Sequence, residues 1–130
     1  METAPQTTIR RLGPGDEAVV EALAEQAEPR TALLRDERTV FLAAFAGERP
    51  VGFAFGYLLP RRHGKPASMF VYEIAVEERY RRRGIATDLM RSLLAEAPEA
   101  FVLTELDNDA ANALYASLGG TRSEAAMWEW

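Results

Sequence analysis

The stretch Tyr72–Leu94, YEIAVEERYRRRGIATDLMRSLL, decides the fold. Tyr72–Val76 is β-rich and apolar apart from Glu73, and it predicts a strand. Glu77–Arg83 carries six charged residues in seven and predicts a turn. Gly84 opens a helix in which Ile85, Leu89 and Leu93 recur at i, i+4 and i+8, with Met90 and Leu94 one step round. Such a stripe lies against a core. A strand that enters a helix through a basic, glycine-containing turn is an anion site. The first-turn N–H groups have no partner within the helix, and the dipole places about +0.5 charge there.

On the N-terminal side, Thr7–Leu12 predicts a first strand and Gly13–Asp16 a turn, with Asp16 placed to cap the next helix. Glu17–Glu28 follows with an apolar stripe through Val19, Val20, Leu23, Ala24 and Ala27, stopped by Pro29. Thr31–Asp36 reads as a short second helix. Thr39–Ala46 and Pro50–Leu59 flank Gly47-Glu48-Arg49 and read as a hairpin. Gly52 and Gly56 inside it signal a bulge or a close backbone approach. Pro60–Pro66 is a polar loop, and Ala67–Val76 completes the strand of the opening stretch.

On the C-terminal side, Pro98 stops the chain beyond the central helix. Ala100–Leu106 predicts a strand, and Asn108–Leu118 a helix ended by Gly119-Gly120. Thr121–Trp130 predicts a closing strand. The order is β-α-α-β-β-β-α-β-α-β: an α/β (α+β) domain with a mixed central sheet flanked by helices, antiparallel early and parallel across the central helix. Residues 1–130 are read as one domain.

Composition narrows the function. A chain of 130 residues buries about two-thirds of its unfolded surface and needs no metal or disulfide staple. The absence of cysteine excludes disulfides, thiol nucleophiles and thiolate metal sites, and fits a cytoplasmic location. No signal-peptide core or membrane-length apolar run is present. Net charge is −5, yet Arg79, Arg81, Arg82 and Arg83 fall within five positions. A cluster of that kind on an acidic protein marks a local anion site and not a nucleic-acid surface. The acidic remainder favours a cationic substrate. A single histidine, His63, is a poor basis for a metal site or a triad, and the expectation is no metal. A dinucleotide fold is excluded, since no G-x-G-x-x-G follows an early strand.

Arg81-Arg82-Arg83-Gly84-Ile85-Ala86 resembles the [Q/R]-x-x-G-x-[G/A] pyrophosphate loop of GNAT-superfamily acetyltransferases. Asn108-Asp109-Ala110-Ala111-Asn112-Ala113-Leu114-Tyr115-Ala116-Ser117-Leu118-Gly119 resembles that family's N-x-x-A-x-x-L-Y-x-x-L-G helix. Gly120 departs from the aromatic residue many members carry next. From about Leu33 to the C-terminus the chain is most similar to the small aminoglycoside 3-N-acetyltransferases.

The resemblance implies an acetyl-CoA-dependent N-acetyltransferase acting on a primary amine, with the 3-amino group of an aminoglycoside antibiotic as acceptor, and hence antibiotic resistance. Alternatives are another small amine, a protein N-terminus, or a non-catalytic acyl-CoA sensor. It implies acetyl-CoA as cosubstrate, held by the backbone of Ile74, Ala75 and Val76, by the amides of Arg81, Arg82, Arg83, Gly84, Ile85 and Ala86, by the Thr87 hydroxyl, and by Asn108. Asn108 reads equally as a plain helix cap. Tyr115 is the implied general acid for the leaving thiolate. Glu73, expected to be partly buried with a raised pKa, is the candidate base or holder of the cationic amine. Glu105 and Asp107 are its rivals, and water is a third route. Glu73, Glu105, Asp107 and Asp109 are expected to form the acidic acceptor pocket. Trp128 and Trp130 are expected at the terminal strand or a dimer contact, and homodimers are common among members of the family.

Overall fold

A computed structural model describes residues 6–24 and 31–130. The hairpin sequence forms as two strands of apolar alternation demand. Thr39–Ala46 (β2) and Arg49–Leu59 (β3) pair antiparallel, and Thr7–Leu12 (β1) pairs antiparallel with β2. Ser68–Val76 (β4) adds antiparallel to β3, and Glu99–Val102 (β5) adds parallel to β4. The five-stranded sheet therefore has the order β1-β2-β3-β4-β5, mixed as the sequence predicts.

β2 shows why the sheet is covered on both sides. Every one of its eight residues is buried, and the alternation divides them between two cores. Val40, Leu42, Ala44 and Ala46 join the cluster that Ile85, Leu89, Met90 and Leu93 of Ile85–Leu94 (α2) complete. Phe41, Ala43 and Phe45 join a second cluster with Val20 of Glu17–Leu23 (α1) and Leu34 of a 3₁₀ turn at Thr31–Arg35. Asp109–Ser117 (α3) sets Leu114 and Tyr115 against the α2-side cluster.

The glycines of β3 act as the sequence suggests. A Cβ on Gly56 would lie 2.6 Å from both the Met69 sulfur and the Phe70 carbonyl oxygen. Here the register passes from Phe55↔Glu73 to Gly56↔Val71, so Tyr72 is an extra residue in β4. This bulge reverses the alternation of β4. Met69 and Val71 enter the α2-side core before it, and Ile74 and Val76 after it. Tyr72 and Glu73 are thereby both placed on the opposite, α1 side, Glu73 directly across from the core residue Phe55.

Four boundaries differ from expectation. Helix α1 stops at Leu23 because Ala24 is extended (ψ 125°), while Ala27, Glu28 and Pro29 lie outside the described residues. Asp16 stands at the N-cap position but does not cap. Its carboxylate instead accepts from the Gly13 amide at 2.9 Å and Arg10 at 3.0 Å, closing the preceding turn. β5 ends at Val102 and not Leu106, because its ladder to β4 stops at Val71↔Val102. Thr121–Trp130 forms no strand. Its weak alternation does not specify a register, and the described sheet gives it no ladder partner.

Candidate active site

The end of β4–β5 pairing creates the site. Beyond Val71 and Val102 the two parallel strands part, leaving the β5-facing backbone of the last half of β4 without a ladder. The phase of the β3–β4 ladder decides which groups that frees. Glu77 donates to the Val51 carbonyl at 2.8 Å, so residues 75 and 73 take the hydrogen-bonded positions toward β3. Ile74 and Val76 therefore turn their backbone groups into the splay. Ala75 turns its carbonyl toward Gly52, 3.1 Å from where a Cβ there would sit. Of the three residues expected to hold a pantetheine arm by backbone, Ile74 has the orientation, Val76 has it with its carbonyl already held by Arg81, and Ala75 does not.

The loop that follows is shaped for an anion. An open cleft of about 220 Å³ is lined by Val76, Tyr80, Arg81, Arg82, Gly84, Ile85, Ala86 and Thr87. Gly84 has φ 80° and Arg82 φ 63°, left-handed values that glycine adopts without strain and arginine does not. Among the described residues no backbone carbonyl accepts from the amides of residues 82–87. A row of outward amides at a helix start is what a pyrophosphate would satisfy. The Arg81 amide is not one of them, since it donates to Glu78 at 3.2 Å.

The four arginines divide their tasks. Arg81 Nε donates to the Val76 carbonyl at 3.0 Å and ties the loop to the end of β4. Arg79 and Arg83 lie over the Tyr80 ring, 5.8 and 5.2 Å from its centroid. Arg82 makes no side-chain hydrogen bond or ion pair among the described residues. Arg49 and Glu77, 2.7 Å apart, fasten the start of the loop to β3.

Helix α3 packs on the α2-side cluster through Leu114 and Tyr115, and none of its residues lines the loop cleft. Asn108 Oδ1 accepts from the Ala111 amide at 3.1 Å, so its capping role is real. Asn112, which sequence reasoning passed over, is the stronger fastener. Its Nδ2 donates to the carbonyls of Glu105, Leu106 and Asn108 at 3.2, 3.4 and 2.8 Å. Tyr115 is half-buried against the α2-side core, and burial pushes its phenol pKa up from the ordinary 10.0.

Glu73 departs from expectation. The bulge leaves it exposed and not partly buried. Its neighbours are instead aromatic. Phe55, Tyr57 and Tyr72 form a packed group, with Tyr72 5.5 Å from Phe55 and 5.6 Å from Tyr57. Tyr57 has its pKa raised by desolvation first, then by Tyr72, Asp36 and Glu73, so these four groups share one electrostatic neighbourhood. Nothing in the sequence separates Tyr57 from the core residues of the Phe53-x-Phe55-x-Tyr57 alternation, and only the bulge puts it beside Glu73.

Glu105 and Asp107 occupy the turn after β5, not the strand, and Asp109 opens α3. All three are exposed. No cluster of three or more His, Cys, Asp or Glu side chains suited to a metal occurs among the described residues. His63 lies on the exposed 60–66 loop.

A parted parallel strand pair and an amide-lined loop at a helix start give this α/β domain an anion site at the opening of α2. The Acetyltransferase (GNAT) family profile matches residues 9–119, and the chain belongs to that family, whose acetyltransferases use acetyl-CoA. Its sequence is 41% identical over 54 residues to L-2,4-diaminobutyric acid acetyltransferase of Methylotuvimicrobium alcaliphilum, covering 42% of this chain and 30% of that one. It is 40% identical over 82 residues to N-alpha-acetyltransferase RimI of Mycobacterium tuberculosis, covering 60% and 52%. The matches thus span about half or less of these relatives. A solved aminoglycoside acetyltransferase, HMB0005, from an uncultured soil metagenomic sample superposes with a TM-score of 0.80 at 28% identity, covering 96% of this chain and 97% of that one. No helix among the described residues is long and apolar enough to cross a membrane.

Proposed function

We propose that the chain transfers the acetyl group of acetyl-CoA directly to a primary amine of a small polycationic acceptor, with an aminoglycoside 3-amino group as the first candidate. The observation that carries the acceptor class is the α1-side face, which Glu73, paired across the ladder with Phe55, shares with the packed rings of Tyr57 and Tyr72. A carboxylate beside aromatic faces holds an alkylammonium by charge and by cation–π attraction, about 0.5–2 kcal/mol per ring. The likeness to a solved aminoglycoside acetyltransferase over nearly the whole chain supports the same class.

In this reading the amides of residues 82–87 and Arg82 hold the pyrophosphate. Ile74 and Val76 align the pantetheine arm as an added strand. The acceptor ammonium gives one proton to Glu73 or to water, the lone pair of the resulting amine attacks the thioester carbonyl, the C–S bond breaks, and the new amide nitrogen gives up its second proton to restore the Tyr115 phenol. Tyr115 supplies the proton to the departing sulfur. Its raised pKa keeps the phenol protonated at neutral pH, as a general acid requires. No enzyme nucleophile takes part, consistent with a chain that has no cysteine.

A second reading, acetylation of a free diamino acid or a protein N-terminus, is favoured by the two curated relatives. A thiol-release screen over aminoglycosides, L-2,4-diaminobutyrate and N-terminal peptides decides between them. The absence of cysteine removes background from the thiol reagent. Turnover with aminoglycosides, with the product mono-acetylated at N3 by NMR, supports the proposal. Activity confined to peptides or to the diamino acid overturns it.

A further inference from the structure

Of the 15 lysines and arginines in the chain only Lys65 is a lysine. The distinction is chemical. A guanidinium stays protonated and does not accept an acetyl group, whereas an ε-amine can release its proton and become a nucleophile. Lys65 is therefore the single side-chain amine on a protein that belongs to a family of acetyltransferases.

The fold presents that amine. Residues 60–66 join β3 to β4, and Lys65 stands in this loop between Gly64, at φ 69°, and Pro66. It is exposed, and among the described residues its ammonium makes no hydrogen bond or ion pair. Glu99, at the start of β5, is taken by Arg61 instead. The Arg61 hydrogen bond holds the Glu99 carboxyl below its ordinary pKa, and the charge of Lys65 contributes least.

The surroundings of Lys65 match the acceptor class. The loop PRRHGKP carries Arg61, Arg62 and Lys65 and no acid, a compact polycation on a chain of net charge −5. The complement is the α1-side face, where Glu73 is exposed on the side of the sheet that carries the Tyr57 and Tyr72 rings. Within one molecule strand β4 holds the two apart. Ser68 precedes Glu73 by about 15 Å at about 3.3 Å per residue, and Lys65 lies beyond Ser68.

We infer, resting on the polycationic-acceptor reading, that Lys65 is acetylated by a second copy of this chain in a transient encounter. The Lys65 ammonium gives one proton to Glu73 of the second copy or to water. The amine attacks the thioester carbonyl of the acetyl-CoA held by that copy, and the C–S bond breaks. The sulfur leaves as the CoA thiol with the proton of Tyr115, and the new amide nitrogen gives its second proton back to Tyr115. The product is a neutral amide. The loop has then lost a cation, its attraction to the acidic face falls, and no second side-chain amine remains to be acetylated.

The full chain is incubated with acetyl-CoA and no other acceptor, and the label is located by intact mass and peptide mapping. The expected result is one acetyl group on Lys65. Its rate per chain rises in proportion to protein concentration and falls at least tenfold when desulfo-CoA fills the donor site. Lys65→Arg keeps the charge and removes the label from the loop. Label on the α-amino group alone overturns the inference. So does Lys65 labelling that desulfo-CoA leaves unchanged, which is uncatalysed transfer. A rate per chain independent of concentration, which is transfer within one molecule, overturns it as well. Turnover of small amines is measured on the same sample by thiol release. A chain that turns them over and leaves Lys65 unlabelled refutes the inference and keeps the acceptor reading, whereas one that acetylates neither refutes both.

Discussion

Tyr115→Phe is the sharpest test of the proposed chemistry. The substitution keeps the ring that packs on the α2-side core and deletes one oxygen. That oxygen has no hydrogen-bond partner among the described residues, so its removal strands no buried group. Stability should therefore stay within about 0.5 kcal/mol of the parent. Loss of a positioned general acid costs about 10²–10⁴ in rate. At about 1.4 kcal/mol per tenfold, that is about 3–5 kcal/mol of transition-state stabilisation. The loss should fall on kcat, with KM for acetyl-CoA little changed, because the phenol meets charge that develops only as the C–S bond breaks. The parent's pH profile adds a second reading. Burial raises the phenol pKa, so the basic limb of kcat should lie above the ordinary tyrosine value of 10.0 and disappear in the variant. The same shift gives a sign for folding. The stability linked to this phenol is complete below the unfolded value and is lost as pH climbs through the folded one. Steady-state kinetics with unfolding curves decide the matter. A variant with kcat within threefold of the parent, equally stable, refutes the acid role.

Three further outcomes follow from the geometry. Gly56→Ala forces a methyl to within 2.6 Å of the Phe70 carbonyl and should cost about 1–3 kcal/mol, seen as a lowered melting temperature, whereas Gly13→Ala, with no atom within 4 Å, should not. Asp16→Ala removes the acceptor for Gly13 and Arg10 and should cost about 1 kcal/mol. Because the Asp16 pKa is lowered, first by the Gly13 amide and then by Arg10, its contribution is present above the unfolded value of 3.8 and is lost as pH falls through the lower folded one, which acid unfolding of parent and variant will show. Asn112→Asp keeps the shape but deletes the donor to three carbonyls, so it should loosen the 105–108 turn, and protection of the Asn108 and Asp109 amides in hydrogen exchange should fall relative to α2.

How much of this was legible beforehand differs by element. Thr39–Ala46 was readable to the residue, because an unbroken apolar run between turn signals suits a strand covered on both faces. The loop at Arg81–Thr87 was readable because glycine at a left-handed position and a helix start are local facts. The division of labour among the four arginines was not, since it depends on where Val76 and Tyr80 lie in space.

The sequence by itself determined the order of elements through α3, the mixed sheet and the loop that opens α2. Each rests on periodicities of 2 and 3.6 residues or on a glycine's backbone freedom, all properties of neighbours along the chain. The tertiary structure alone decided the chemistry around Glu73. One extra residue at Tyr72, opposite the close approach at Gly56, moves Glu73 out of the anticipated burial and onto the face of Tyr57 and Tyr72. It also decided the state of Thr121–Trp130, whose weak alternation predicts a strand that finds no ladder partner in the described sheet. A strand is completed by hydrogen bonds to another segment, and that partner is fixed by topology and not by the residues of the strand itself.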